Sequence, residues 1–242
     1  MISIRPIDVR HKMILIRTLI AISDTSKLSR NLRFKGGTCA AMSGFLDRMS
    51  VDLDFDVVFD ANIEDMRGLF HQVFKKIGMS VSDESKKALT FLVKYESNKG
   101  ERNTMKIDAL ERGWKANIYE MRYLSEIDRS IFCQTKETMV SNKLVSPLDR
   151  YRIHKNIAGR DIYDIYYFLS HGYGFIPEII RERTGKTMPD FFDTLIEFVK
   201  KRVNKQIIDE DLNTLLPYDT FRTIRGSLKE EVISLLEEEK KV

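Results

Sequence analysis

The segment Ser50-Val51-Asp52-Leu53-Asp54-Phe55-Asp56-Val57-Val58-Phe59 carries three carboxylates at every second position. Strand side chains alternate faces, so Val51, Leu53, Phe55 and Val57 form an apolar face while Asp52, Asp54 and Asp56 share the other. Aspartate is a poor strand former, and like charges on one face repel. Two readings fit: a solvated outer face, or a face that binds a cation. In the second, Asp52 and Asp54 lie about 6–7 Å apart along the strand and lean onto one or two hard cations. Mg²⁺ or Mn²⁺ suits them, because such ions take oxygen ligands and share them with substrate phosphates.

Two further segments add to that chemistry. Arg33-Phe34-Lys35-Gly36-Gly37-Thr38 lies 14 to 19 residues before Asp52. A strand ending in two glycines, followed by a helix, presents free backbone N–H groups to an anion. A Gly-Gly pair is also an ordinary turn. Beside an Asp-x-Asp strand it offers a triphosphate cradle, with Lys35, Gly36, Gly37 and the Thr38 hydroxyl as candidate phosphate contacts. In Met105-Lys106-Ile107-Asp108-Ala109-Leu110, Asp108 alternates with Ile107 and Ala109. Paired beside the first strand, it supplies a third carboxylate at the metal nearest an acceptor hydroxyl, as two-metal phosphoryl transfer requires; otherwise it is a surface aspartate. Arg48 either neutralises triphosphate charge or pairs with an aspartate.

The elements that must position these groups are legible in the hydrophobic periodicity. Residues 8–30 read as a helix, 32–35 as a strand, 38–47 as a short helix, 50–59 as the clearest strand and 62–78 as a helix. Strand-like runs cover 88–95, 104–110 and 114–121, with a turn at Asn98-Lys99-Gly100. Beyond about Ile131 the strand signal fades, and helices are predicted over 136–151, 159–170, 189–203 and 221–239. The expected class is α+β: a mixed sheet with flanking helices over 1–133, then a helical bundle over 134–242. The chain has 242 residues, 43% hydrophobic and 31% charged, with a formal net charge of +4. That balance excludes collagen, disorder and coiled-coil fibre. No apolar run reaches the roughly 20 residues of a membrane span, and residues 1–8 lack a signal-peptide core. The expected location is the cytoplasm, without a membrane partner. Cys39 and Cys133 make no disulfide framework, and the four histidines lack metal spacing.

The three segments together resemble the nucleotidyltransferase superfamily. Phe34-Lys35-Gly36-Gly37-Thr38, Arg48-Met49-Ser50-Val51-Asp52-Leu53-Asp54-Phe55 and Lys106-Ile107-Asp108 look like the AbiEii toxin family, the MenT-like type IV toxin–antitoxin branch. Ser141-Asn142-Lys143-Leu144 and Arg160-Asp161-Ile162-Tyr163-Asp164 resemble that family's lysine-leucine segment and its Arg-Asp-x-x-Asp motif. The match runs from residue 34 to 166 in the family's order; the last 70 or so residues carry no matching motif. The resemblance implies a nucleotidyltransferase fold, a nucleoside triphosphate substrate, a cognate antitoxin encoded nearby and a link to phage defence. It also implies transfer of a nucleotide, with release of pyrophosphate, to the 3′ end of tRNA, which blocks translation.

By the same resemblance, Lys143 is a triphosphate contact or leaving-group partner, and Asp161 and Asp164 join the catalytic set. From the residues alone, Lys143 is also a solvated helix position. Asp161 is also a helix cap, and Asp164 is a carboxylate that needs a partner such as Lys143 or Arg150. Arg150, Arg152 and Lys155 lie in a basic stretch that reads either as a grip on an RNA backbone or as a solvated helix and loop. The competing functions are nucleotidyl transfer to a protein or small molecule, and a nucleotide- or RNA-binding module without turnover.

Overall fold

Leu53, Phe55 and Val57 are buried, as the alternation of the aspartate strand requires. They hold β2 (Leu53–Val57) at the centre of a seven-stranded sheet in the computed structural model, which describes residues 5–111 and 113–241. The other strands are β1 (Leu32–Lys35), β3 (Ser80–Glu84), β4 (Leu89–Lys94), β5 (Thr104–Glu111), β6 (Tyr119–Leu124) and β7 (Arg129–Gln134). The sheet order is β3-β4-β5-β2-β1-β7-β6. It is mixed: β2 runs parallel to β5 and β1 parallel to β7, and the remaining neighbours are antiparallel. The helices among these strands are α1 (Val9–Ser23), α2 (Ser26–Asn31), α3 (Gly36–Met42) and α4 (Ile63–Lys76). On α1, Leu15, Leu19 and Ile22 are buried at helical spacing. Asn62 caps α4 by accepting from the Asp65 N–H.

Helices alone follow among the described residues: α5 (Lys136–His154), α6 (Gly159–Ser170), α7 (Pro177–Thr184), α8 (Met188–Arg202), α9 (Lys205–Leu212), α10 (Tyr218–Ile224) and α11 (Leu228–Glu239). The chain forms two compact units. The first comprises Met1–Phe45, Met49–Gly113 and Tyr119–Gln134; the second comprises Leu46–Arg48, Trp114–Ile118 and Thr135–Val242. The second unit therefore takes up two short segments from earlier in the chain.

Several element boundaries differ from the sequence expectation. The long first helix breaks at Asp24-Thr25 into α1 and α2, because the Asp24 and Thr25 N–H groups close the end of α1. The helix expected from Thr38 starts at Gly36 and ends at Met42. The aspartate strand is only five residues long, which leaves Asp52 just outside it. Trp114 and Ala116 precede β6 in a turn. Strand β3, Ser80-Val81-Ser82-Asp83-Glu84, escaped notice because it is a polar, mostly exposed edge. The expected 221–239 helix is interrupted at Arg225–Ser227, around Gly226. No helix among the described residues is long and apolar enough to cross a membrane.

Candidate active site

Sheet register collects the chemistry of the first unit. Asp54 lies opposite Asp108 in the parallel β2–β5 pair and opposite Lys35 in the antiparallel β1–β2 pair. Side chains level across adjacent strands share a face, so the two carboxylates and the ammonium stand side by side at the sheet centre. Asp54 is half-buried, with no hydrogen-bond donor to its carboxylate among the described residues. Burial raises its carboxyl to about 6; Lys35 acts against that, and Asp52 and Asp108 add to it. Asp108 is held on one oxygen by the Thr90 hydroxyl at 2.6 Å and on the other by the Lys106 ammonium at 2.8 Å. Asp52 accepts the Lys106 backbone N–H at 3.3 Å.

The glycine turn is built against the same carboxylate. Gly36 has φ +77°, a region that favours glycine. A Cβ there would stand 2.5 Å from Asp54 Oδ2. Glycine at this position thus lets the turn and Asp54 touch. Thr38 is buried, and its hydroxyl donates to the Asp52 carbonyl, so it fixes the backbone entering β2. The hydroxyl expected to contact phosphate is thus engaged with the backbone here. The Lys35 ammonium reaches Asp56 at 2.5 Å. Asp56, buried on the same face, also accepts from the Tyr119 hydroxyl and the Gln134 amide, both at 2.9 Å. Lys35, Tyr119 and Gln134 thus donate to Asp56, and Tyr119 and Gln134 belong to strands whose part in the site the sequence pattern did not reveal.

The second unit holds a separate buried ion cluster. Arg48 Nε and Nη2 donate to the two oxygens of Asp164 at 2.5 and 2.7 Å. Lys143 reaches Asp164 at 2.9 Å and Asp161 at 3.0 Å, and Arg150 Nε donates to Asp161 at 2.8 Å. Asp161 and Asp164 are fully enclosed on α6, a cost repaid only by such pairing. Burial opposes the charge of Asp161, but Lys143 and Arg150 outweigh it and hold the carboxyl well below its usual range. Burial likewise opposes the charges on Arg48 and Lys143, and the two aspartates more than offset it, so both pKa values rise. Arg48 is therefore an ion-pair residue rather than a free triphosphate contact. Asp161 is a buried partner of two cations rather than a helix cap. Arg150 belongs to this cluster, whereas Arg152 and Lys155 are exposed. Arg152 pairs with Asp149, and Lys155 closes α5 with a left-handed φ of 54°.

A family model described as "Nucleotidyl transferase AbiEii toxin, Type IV TA system" matches residues 17–224. The chain belongs to this family. It is accordingly a nucleotidyltransferase of the AbiEii type, with a nucleoside triphosphate substrate and an antitoxin partner implied by the family. Comparison with curated proteins finds no match. Two solved structures share the fold. JHP933 from Helicobacter pylori aligns with TM-score 0.55 and 19% identity over 98% of this chain and 96% of that one. MenT4, the nucleotidyltransferase toxin Rv2826c from Mycobacterium tuberculosis H37Rv, aligns with TM-score 0.55 and 14% identity over 94% and 83%.

Asp54 and Asp108 offer the oxygen donors that hard divalent cations take. Among the described residues no three His, Cys, Asp or Glu side chains converge as a metal cage. Of the three carboxylates expected to hold metal, Asp52 sits just before the strand and accepts the Lys106 N–H. Asp54 and Asp108 remain adjacent, and among the described residues no donor reaches the Asp54 carboxylate. That pair would suit a hard divalent cation that draws its other ligands from water and substrate phosphates.

Proposed function

We propose that the first unit transfers a nucleoside monophosphate from a nucleoside triphosphate to the 3′ hydroxyl of an RNA, with tRNA as the favoured acceptor, and releases pyrophosphate. The observation that carries this reading is the in-register pair Asp54 and Asp108 set against the Gly36-Gly37 turn. Mg²⁺ held by Asp54 and Asp108, with Asp52 beside them, would neutralise the phosphates and favour the ionised acceptor hydroxyl. Gly36 and Gly37 would offer backbone N–H groups to the β- and γ-phosphates. Lys35, level with Asp54, would add positive charge beside them. Asp108 would orient the acceptor hydroxyl and receive its proton, while Thr90 and Lys106 hold it in place.

In the second unit, Asp161 and Asp164 would set the position of the Lys143 ammonium, the family's expected triphosphate contact, whose side chain keeps 17% of its surface open to solvent. Of the basic stretch expected to grip RNA, Arg152, paired with Asp149, and Lys155 are exposed and would meet an RNA backbone. Such transfer would arrest translation until a cognate antitoxin intervenes, in the cytoplasm and in the setting of phage defence. The test is a lysate incubated with purified protein, Mg²⁺ and each α-phosphate-labelled nucleoside triphosphate in turn. Label in RNA at the 3′ end supports the reading. Label in protein or in a small molecule would replace the acceptor, and no transfer with retained nucleotide binding would make the chain a binding module.

A further inference from the structure

The register that aligns the carboxylates also aligns a second row of side chains on the same face. Phe34 is level with Cys133 in the parallel β1–β7 pair, which sets Arg33 level with Phe132. Phe132 lies opposite Met121, Arg33 opposite Asp56, and Asp56 opposite Leu110. Met121, Phe132, Arg33, Asp56 and Leu110 therefore cross the sheet in one row, about 7 Å along the strands from the row of Asp54 and Asp108. Tyr123 follows Met121 by two residues and shares its face. The apolar core of the sheet lies on the opposite face, where Phe34, Leu53, Phe55, Ile107 and Cys133 are buried. Yet Met121, Tyr123 and Leu110 are 56%, 60% and 46% exposed. Met121 and Tyr123, open apolar side chains two residues apart on one face of the edge strand β6, mark an interaction surface; Leu110 lies on β5, four strand spacings across the same sheet face.

Charge decides what kind of partner fits. The Arg33 guanidinium lies 4.3 Å over the Phe132 ring and donates to the carbonyls of Arg30 and Leu32. It has no carboxylate partner among the described residues, whereas Lys35, Lys106 and Arg129 are each paired with an aspartate. Asp56, the acid within the row, is already spent on three donors. What remains is an aromatic and thioether surface with one cation that lacks a carboxylate partner among the described residues, Arg33, and with Asp128 at its far end, where the Tyr123 hydroxyl donates to it at 2.8 Å. Unpaired bases stack on such surfaces while an arginine meets a phosphate.

We infer that Met121, Tyr123 and Phe132, with Arg33, form a stacking platform for a single-stranded RNA segment that leads into the carboxylate pair. From β2 to β6 the row spans three strand spacings, about 14 Å, room for a few nucleotides of an acceptor 3′ end. The inference rests on the RNA-acceptor reading above, and it specifies an unpaired end rather than a duplex, whose bases are not available for stacking.

The test is fluorescence anisotropy without nucleoside triphosphate, using a labelled single-stranded RNA oligonucleotide and a blunt RNA hairpin. The proteins are the wild type, the double variant Met121→Ser/Tyr123→Ser, Arg33→Gln, and Tyr218→Ser as an exposed apolar control on the second unit. Single-stranded RNA is expected to bind more tightly than the hairpin. The double variant should lose about tenfold or more of that affinity, and Arg33→Gln should lower the salt slope by about one phosphate contact. Tyr218→Ser should bind as the wild type does. Equal binding of single strand by the wild type and the double variant overturns the platform, even where nucleotidyl transfer to RNA is observed. Platform-dependent binding without transfer would retain the platform and reject the RNA-acceptor activity. Unchanged thermal midpoints keep loss of folding from imitating loss of binding.

Discussion

Asp54 is held in an environment that disfavours its charge, so replacing it should stabilise the protein while removing its chemistry. Its carboxyl rises from 3.8 to about 6, with burial the largest cause. At 1.36 kcal/mol per tenfold, that gap corresponds to about 3 kcal/mol against the ionised form. Solvent reaching the half-buried carboxylate screens part of this, leaving about 2 kcal/mol. The sign follows from linkage: between these two values the folded state binds more protons than the unfolded one, so stability falls as pH rises through the window. Asp54→Asn cannot ionise and escapes that loss. Its thermal midpoint should match the wild type near pH 4, pull ahead through pH 6, and exceed it by roughly 4–8 °C at pH 7.5 for a chain of this size. The assay is thermal unfolding in metal-free buffer across pH 4–8. A variant that is less stable than the wild type at pH 7.5, or whose advantage does not change with pH, would refute the assignment of Asp54 as a strained, cation-seeking carboxylate.

Other perturbations have equally definite outcomes. Gly36→Ala places a methyl group 2.5 Å from Asp54 Oδ2 at φ +77°; it should cost about 1–3 kcal/mol and abolish transfer, read by thermal unfolding and by nucleotide incorporation. Asp164→Ala strands the buried Arg48 and loosens Lys143, and should destabilise the protein by about 3–5 kcal/mol, measured by denaturant unfolding. Charge reversal at Arg152 and Lys155, both exposed, should leave the thermal midpoint near the wild type and flatten the salt dependence of RNA binding by one or two contacts. An unchanged slope would remove them from the RNA surface.

The central part of the site was legible because period-two alternation survives in any strand. Asp52, Asp54 and Asp108 stand out in the sequence, and the structure brings Asp54 and Asp108 into register. The glycine turn was legible as well, although the contact that requires Gly36 is made by Asp54, an interaction between elements that no local pattern encodes. Asp56 carried the same spacing signal as its neighbours. Its partners Tyr119 and Gln134 come from β6 and β7, and pairing across a sheet is set by register rather than by propensity. Strand β3 was missed because an exposed polar edge has no apolar stripe to read. For Arg48 and Arg150 the sequence left phosphate contact and ion pairing both open, and burial beside Asp164 and Asp161 makes them ion-pair residues. A sequence lists charges without saying which of them are enclosed together.

The most direct measurement is the intact mass of a defined RNA before and after incubation with purified protein, Mg²⁺ and one nucleoside triphosphate at a time. A gain of whole nucleotide residues at the 3′ end, with pyrophosphate released in equal amount, is expected for the wild type, and no gain for Asp54→Asn or Asp108→Asn. An unchanged RNA mass with every nucleotide, or an equal gain with the aspartate variants, would contradict nucleotidyl transfer to RNA by this carboxylate pair.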